Sequence, residues 1–173
     1  MENVAPSGIC VQLNRVLCSN LAPDKFFTFF YYVIDTAART LSYSNGEHCF
    51  PLLHRSRGEV EILREGGIVL GIFPDAKYVD VVVRLDPGNK ILLFTDGITE
   101  ATNPGSEEYG EARLRRELDS DSREETATMH RKLMQEVSNF CLDNFADDAT
   151  LVLISFLPGA KPLVIQEWKG RVL

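Results

Sequence analysis

Three tight turns, each set between two runs of β-forming residues, constrain this chain most. Asp35-Thr36-Ala37-Ala38-Arg39 divides Phe26–Ile34 from Thr40–Ser44, and Ser56-Arg57-Gly58 divides Pro51–Arg55 from Glu59–Leu63. Asp86-Pro87-Gly88-Asn89, with Pro and Gly where a turn wants them, divides Tyr78–Leu85 from Lys90–Thr95. Strands joined by so few residues pair antiparallel. Phe26–Ile34 is aromatic and apolar on both faces, which predicts a central strand of a covered sheet.

Helical spacing appears in three places. Ile9, Leu13, Val16 and Leu17 predict a helix from Pro6, with Ser7 as its N-cap and Pro23-Asp24 as its stop. A charged helix is expected from Glu107 to Leu118. After the solvated linker Asp119–Arg123, a longer helix is expected to carry Met129, Leu133, Val137, Phe140, Cys141 and Asn144 on one apolar face. Thr150–Phe156 reads as a last strand, and the tail from Pro158, with Pro162 and Trp168, as a strand or an ordered extension. The sum is an α+β domain, antiparallel sheets layered with helices over their faces.

With 173 residues, 45% apolar and 25% charged, the chain has the length of one domain and can bury a real core. A net charge of −7, with no block of Lys or Arg, argues against nucleic acid as a partner. No run approaches a membrane span, and Met1–Pro6 has no signal-peptide character. Cys10, Cys18, Cys49 and Cys141 lack ligand spacing and read as free thiols of a cytoplasmic, reducing compartment.

The chemistry concentrates at two places. Leu92-Leu93-Phe94-Thr95-Asp96-Gly97 is an apolar run that stops on an acidic residue and a glycine. Asp147-Asp148-Ala149-Thr150 puts an acidic pair just before the strand that opens at Leu151. Singly, each is more often a turn. If the two strands are antiparallel neighbours, Asp96 and Asp147/Asp148 share one sheet edge, and clustered carboxylates want a cation between them. That pattern points to a divalent-metal site. No Ser, Cys or His stands in a nucleophile-base arrangement; His48 and His130 read as structural or surface residues, and His54 as blander still.

Five ordered motifs carry a family resemblance. Gly67-Ile68-Val69-Leu70-Gly71-Ile72-Phe73-Pro74-Asp75, Leu85-Asp86-Pro87-Gly88, Leu93-Phe94-Thr95-Asp96-Gly97-Ile98-Thr99-Glu100-Ala101, Glu108-Tyr109-Gly110 and Asp147-Asp148-Ala149-Thr150-Leu151 resemble the bacterial SpoIIE/RsbU-type protein serine phosphatases. Those belong to the metal-dependent, type 2C-like (PPM) class. The resemblance implies a layered α-β-β-α sandwich over residues 1–157, with 158–173 as a C-terminal tail. It implies a pair of Mn²⁺ or Mg²⁺ ions that activate water toward phosphoserine or phosphothreonine. By position Asp96 and Asp147 match the ligands, with Asp148 beside them. The implied partner is a phosphorylated protein of the sigma-factor regulatory class, an anti-sigma-factor antagonist, with a sensory domain upstream.

Three departures stand out. The family's opening Asp-x-x-Gly-His/Lys-Gly motif has no counterpart upstream of Val11, so a domain lacking its first strands is expected. Its metal site would be weak and incomplete, it could be a catalytically inactive binding module, and it could form a homo-oligomer through its open edges. The family's Asn-Ala-Gly-His stands here as Asn45-Gly46-Glu47-His48, and its Pro-Gly-Asp as Pro87-Gly88-Asn89.

Overall fold

The computed structural model describes residues 4–22, 24–120 and 124–157. In chain order its elements are α1 (Pro6–Asn20), β1 (Phe29–Asp35), β2 (Thr40–Gly46), β3 (Leu52–Arg55), β4 (Glu59–Ile62), β5 (Val81–Arg84) and β6 (Lys90–Phe94), then α2 (Asp96–Thr99), α3 (Glu111–Ser120), α4 (Thr126–Cys141) and β7 (Leu151–Ser155). The chain divides into two compact units, Met1–Phe50 with Arg64–Leu85, and Pro51–Leu63 with Asp86–Leu173. All the strand pairs are antiparallel.

In the first unit the sheet order is β1-β2-β5. The β1–β2 hairpin runs from Phe29↔Gly46 to Asp35↔Thr40. Its turn is closed by Asp35, whose carboxylate accepts from the backbone N–H groups of Ala37 and Ala38 at 2.8 and 2.7 Å. Contrary to the sequence expectation, β1 is first in the order rather than central, and Phe26 and Phe27 are exposed. Its rings instead cover one another. Phe29 stacks on Tyr31 at 6.3 Å, and Phe30 packs against Tyr32 and Tyr43 at 5.7 and 5.4 Å, so same-face aromatic neighbours do what a covering layer would.

Helix α1 packs on β1 and β2. Ser7 is not its cap: Ala5 holds that position and Pro6 opens the helix, where a missing N–H costs nothing. The Ser7 backbone N–H and hydroxyl both donate to the Asp80 carboxylate at 2.7 Å, so a distant residue satisfies the helix start. Fully buried Asn14 ties α1 to the loop before β5: its Nδ2 donates to the Phe73 carbonyl and its Oδ1 accepts from Gly71 N–H, both at 2.8 Å. Cys10, Leu70 and Tyr78 form the core there, with Val11, Leu13, Leu17, Phe29 and Ala76 packed round them.

In the second unit the order is β4-β3-β6-β7. The Ser56–Gly58 turn joins β3 to β4 as expected, but the Asp86–Asn89 turn does not make a hairpin. β5 pairs with β2, while β6 pairs with β3 and β7. The reason is local. Asn89 is buried and its Oδ1 accepts from Asp86 N–H at 3.0 Å and from Arg55 at 3.3 Å, while Gly88 N–H donates to the Phe156 carbonyl at 2.8 Å. The turn is thus bound to β3 and to the residue after β7. The acceptor work of Asn89 is work an aspartate oxygen could also do, consistent with a tolerated exchange at this position.

Helix α3 starts four residues later than expected, because Asn103–Gly110 is a structured loop. Arg113 holds that loop, donating to the Glu108 and Tyr109 carbonyls at 2.7 and 2.9 Å and to Glu107 Oε1 at 2.5 Å. Helix α4 packs on β7 with Met129, Leu133, Met134, Val137 and Cys141 buried. It ends at Cys141, closed by Leu142 in the left-handed region (φ 53°), so Asn144 lies beyond the helix. Pro23, residues 121–123 of the linker and the tail from 158 lie outside the described residues. No helix among the described residues is long and apolar enough to cross a membrane.

Candidate metal centre and family membership

The chemistry-bearing aspartates lie where β6 and β7 meet. The two strands pair in register from Lys90↔Ser155 to Phe94↔Leu151. Asp96 follows the end of β6 by two residues and Asp147-Asp148 precede the start of β7, so all three stand at the same end of the pair.

Thr95 and Gly97 build this end. Thr95 N–H donates to the Thr150 carbonyl at 3.0 Å, extending the ladder by one residue. Its hydroxyl donates to the Asp148 carbonyl and accepts from Thr150 N–H, both at 2.9 Å. Committed across the strands, that hydroxyl makes no capping bond to α2, the single helical turn that begins at Asp96 where the sequence suggested only a turn. Gly97 is buried against the acidic pair: a Cβ there would lie 2.7 Å from the Asp148 carbonyl oxygen and 3.2 Å from that of Asp147. No side chain fits without moving backbone. The Thr-Asp-Gly pattern therefore has a mechanical meaning. Thr clamps, Asp projects, and Gly lets the Asp147-Asp148 backbone come close.

The three carboxylates are exposed. Asp96 Oδ1 accepts from Gly97 N–H at 3.0 Å and Asp147 Oδ1 from Asp148 N–H at 2.7 Å, so in each one oxygen is fixed by the next residue's amide. All-oxygen donors of this kind suit Mg²⁺ or Mn²⁺ rather than softer metals. Among the described residues no group of three or more His, Cys, Asp or Glu side chains is gathered to hold a metal ion. The donor set fits a hard divalent cation in kind, and supplies part of a cage rather than all of it.

Of the three histidines, His54 departs most from expectation. His130 Nε2 lies 3.1 Å from the Leu151 carbonyl, fixing α4 to β7, and His48 Nδ1 lies 3.1 Å from Thr28 Oγ1. His54, which the sequence marks as the blandest, is fully buried on β3, between Val60 of β4 and Lys90 of β6 in register. Its Nε2 lies 3.4 Å from Asp119 at the end of α3. Burial pushes the imidazole below its ordinary range, opposed by Asp119 and reinforced by Lys90. Thr95 is the other residue whose role the sequence did not reveal: its identity is visible in the motif, but its clamp depends on which strand lies beside it.

The antiparallel α+β fold is that of PP2C-like phosphatase domains. The family described as Stage II sporulation protein E (SpoIIE) matches residues 1–157, and the chain belongs to that family. It is similar to Phosphoserine phosphatase RsbU of Bacillus subtilis, 32% identical over 99 residues, which is 56% of this chain and 29% of that protein. It is also similar to Protein IcfG of Synechocystis sp., 34% identical over 89 residues, 51% of this chain and 14% of that protein. The chain thus spans less than a third of the length of these curated relatives. Among solved structures, the SiaA-PP2C domain of Pseudomonas aeruginosa superposes with a TM-score of 0.77 at 19% identity, covering 88% of this chain and 61% of that one. The phosphatase domain of SpoIIE from Bacillus subtilis superposes with a TM-score of 0.64 at 16% identity, covering 91% and 70%.

Proposed function

We propose that this chain is the phosphatase part, residues 1–157, of a metal-dependent serine/threonine protein phosphatase of the PPM type. Its substrate is a phosphoserine on a protein of the sigma-factor regulatory class, an anti-sigma-factor antagonist, in the cytoplasm. The reading rests on membership of the SpoIIE family, on the phosphoserine phosphatase among its relatives, and above all on the Thr95–Gly97 clamp against Asp147-Asp148.

In this reading Asp96 and Asp147 would hold Mn²⁺ or Mg²⁺, with Asp148 beside them and water completing the shell. When bound, such a cation lowers the pKa of its water and neutralises phosphoryl charge. The chain's own residues supply position. Thr95 fixes the strand end that carries Asp96, and the amides of Gly97 and Asp148 each hold one carboxylate oxygen and orient the other. No side-chain nucleophile is needed, in keeping with the absence of a nucleophile-base motif.

The test is phosphate release from a phosphoserine peptide, with and without Mn²⁺. Metal-dependent turnover that Asp96→Asn and Asp147→Asn each reduce at least about a hundredfold, the scale of losing one electrostatic stabiliser, supports the reading. Turnover indifferent to both substitutions defeats it. A folded chain with no turnover that still binds the phosphopeptide favours an inactive recognition module instead.

A further inference from the structure

We propose that Arg113 is a positioning residue for Asp96, acting through a narrow backbone ribbon that closes the far end of α2. Its effect on metal binding rests on the phosphatase reading above; the tie itself does not.

Helix α2 is a single turn, and one turn makes too few hydrogen bonds to offset its own nucleation. Its start is fixed by the Thr95 clamp and its middle by Ile98, which is fully buried. Its end is held from outside. Glu100 N–H donates back to the Asp96 carbonyl at 2.8 Å, and the Thr99 carbonyl accepts from Gly110 N–H at 2.8 Å. From there two short stretches run side by side. Tyr109 N–H donates to the Ala101 carbonyl at 2.8 Å, Thr102 faces Glu108 antiparallel, and Asn103 N–H donates to the Glu107 carbonyl at 3.0 Å. An isolated two-stranded ribbon is marginally stable at best in water.

Arg113, in the first turn of α3, supplies what the ribbon lacks. Its Nη1 donates to both the Glu108 and Tyr109 carbonyls, and its Nη2 to the Glu107 carboxylate. The guanidinium lies over the Phe140 ring of α4, 4.8 Å from its centroid. The buried Tyr109 ring meets the same Phe140 ring nearly at right angles, at 5.4 Å. One strand of the ribbon is thus fastened to both α3 and α4, and through Gly110 it holds the end of the turn that begins at Asp96. Gly110 makes the bend into α3 in the left-handed region (φ 77°), which glycine adopts without strain. The planar fork matters here. It stacks on an aromatic face while bonding in its own plane, which an ammonium cannot do.

The test is a pair of NMR measurements on the ¹⁵N-labelled chain. One is amide exchange without metal; the other is a Mg²⁺ titration followed at the Gly97 and Asp148 amides. Arg113→Gln is expected to speed exchange at Tyr109, Gly110 and Glu100 about tenfold, the scale of losing a charge-assisted hydrogen bond. Thr95 N–H, bonded to the Thr150 carbonyl, should exchange as before. The Mg²⁺ midpoint should rise about tenfold, the lower end of what losing a residue that orients a metal ligand does. Arg113→Lys should recover part of both effects. Glu107→Gln, which removes only the exposed ion pair, should change neither. If Arg113→Gln loosens Tyr109 and Gly110 but leaves Glu100 and the Mg²⁺ midpoint unmoved, Arg113 merely braces the loop and the proposal falls. It falls equally if exchange rises evenly across the second unit, Thr95 included. An unaltered chain whose Gly97 and Asp148 amides ignore Mg²⁺ defeats the metal-centre reading instead, and exchange at Glu100 then decides the positioning claim by itself.

Discussion

Gly97 shows how one absent side chain shapes the candidate centre. Gly97→Ala forces its Cβ against the Asp148 carbonyl, and backbone on both sides resists. The expected loss is about 1–3 kcal/mol, the usual cost of overpacking, read as a lower urea midpoint at constant m-value. A second residue-scale prediction concerns His54. Its folded pKa lies below the unfolded value near 6.5, so the unfolded chain takes the proton more readily. Stability is thus fully present above about pH 6.5 and is lost as pH falls from there through the folded pKa. Urea unfolding at pH 7.5 and 5.5 should show this decline, and His54→Gln should flatten it. An unchanged slope in the variant would assign the pH dependence elsewhere. That Asp96 and Asp147-Asp148 stand at one end of a strand pair was legible in the sequence, because each acidic strand end, singly more often a turn, falls beside the other once β6 and β7 pair antiparallel. His54 was not legible, since nothing local distinguishes a histidine facing a buried Lys90 from one facing water.

At the scale of elements, the turns were readable and the partners were not. Asp35 and Gly58 close hairpins by local chemistry, which sequence encodes directly. The Asp86–Asn89 turn has the same local chemistry, yet β5 and β6 join different sheets, because Arg55 and Phe156, 34 and 67 residues away from Asn89 and Asn89's own carbonyl, bind it. Helix α1 is similar: its periodicity was visible, but its N-terminus is satisfied by Asp80 rather than by a neighbouring cap. Asn14 carries the element-scale prediction. Asn14→Ala leaves the Gly71 N–H and the Phe73 carbonyl without their partner beneath α1. About 1–3 kcal/mol per buried group left unsatisfied is expected. Hydrogen exchange should locate the loosening at 71–73 and the facing turn of α1, leaving β6 and β7 protected. Loosening spread evenly through both units would mean that Asn14 does not act as a local tie.

For the molecule as a whole, the proposed phosphatase activity requires Asp96 and Asp147 to act together on one hard cation. Two carboxylates with water completing the shell should hold Mn²⁺ at millimolar rather than micromolar concentrations. Binding to the folded state alone at ten times Kd adds about 1.4 kcal/mol, or roughly 3–6 °C in melting temperature for a chain of this size. The decisive measurement is the melting temperature against Mn²⁺ concentration for the unaltered chain, Asp96→Asn and Asp147→Asn. A saturable rise with a millimolar midpoint, lost in each variant, is the result expected. A rise of equal size in all three proteins would contradict the assignment and place the cation elsewhere.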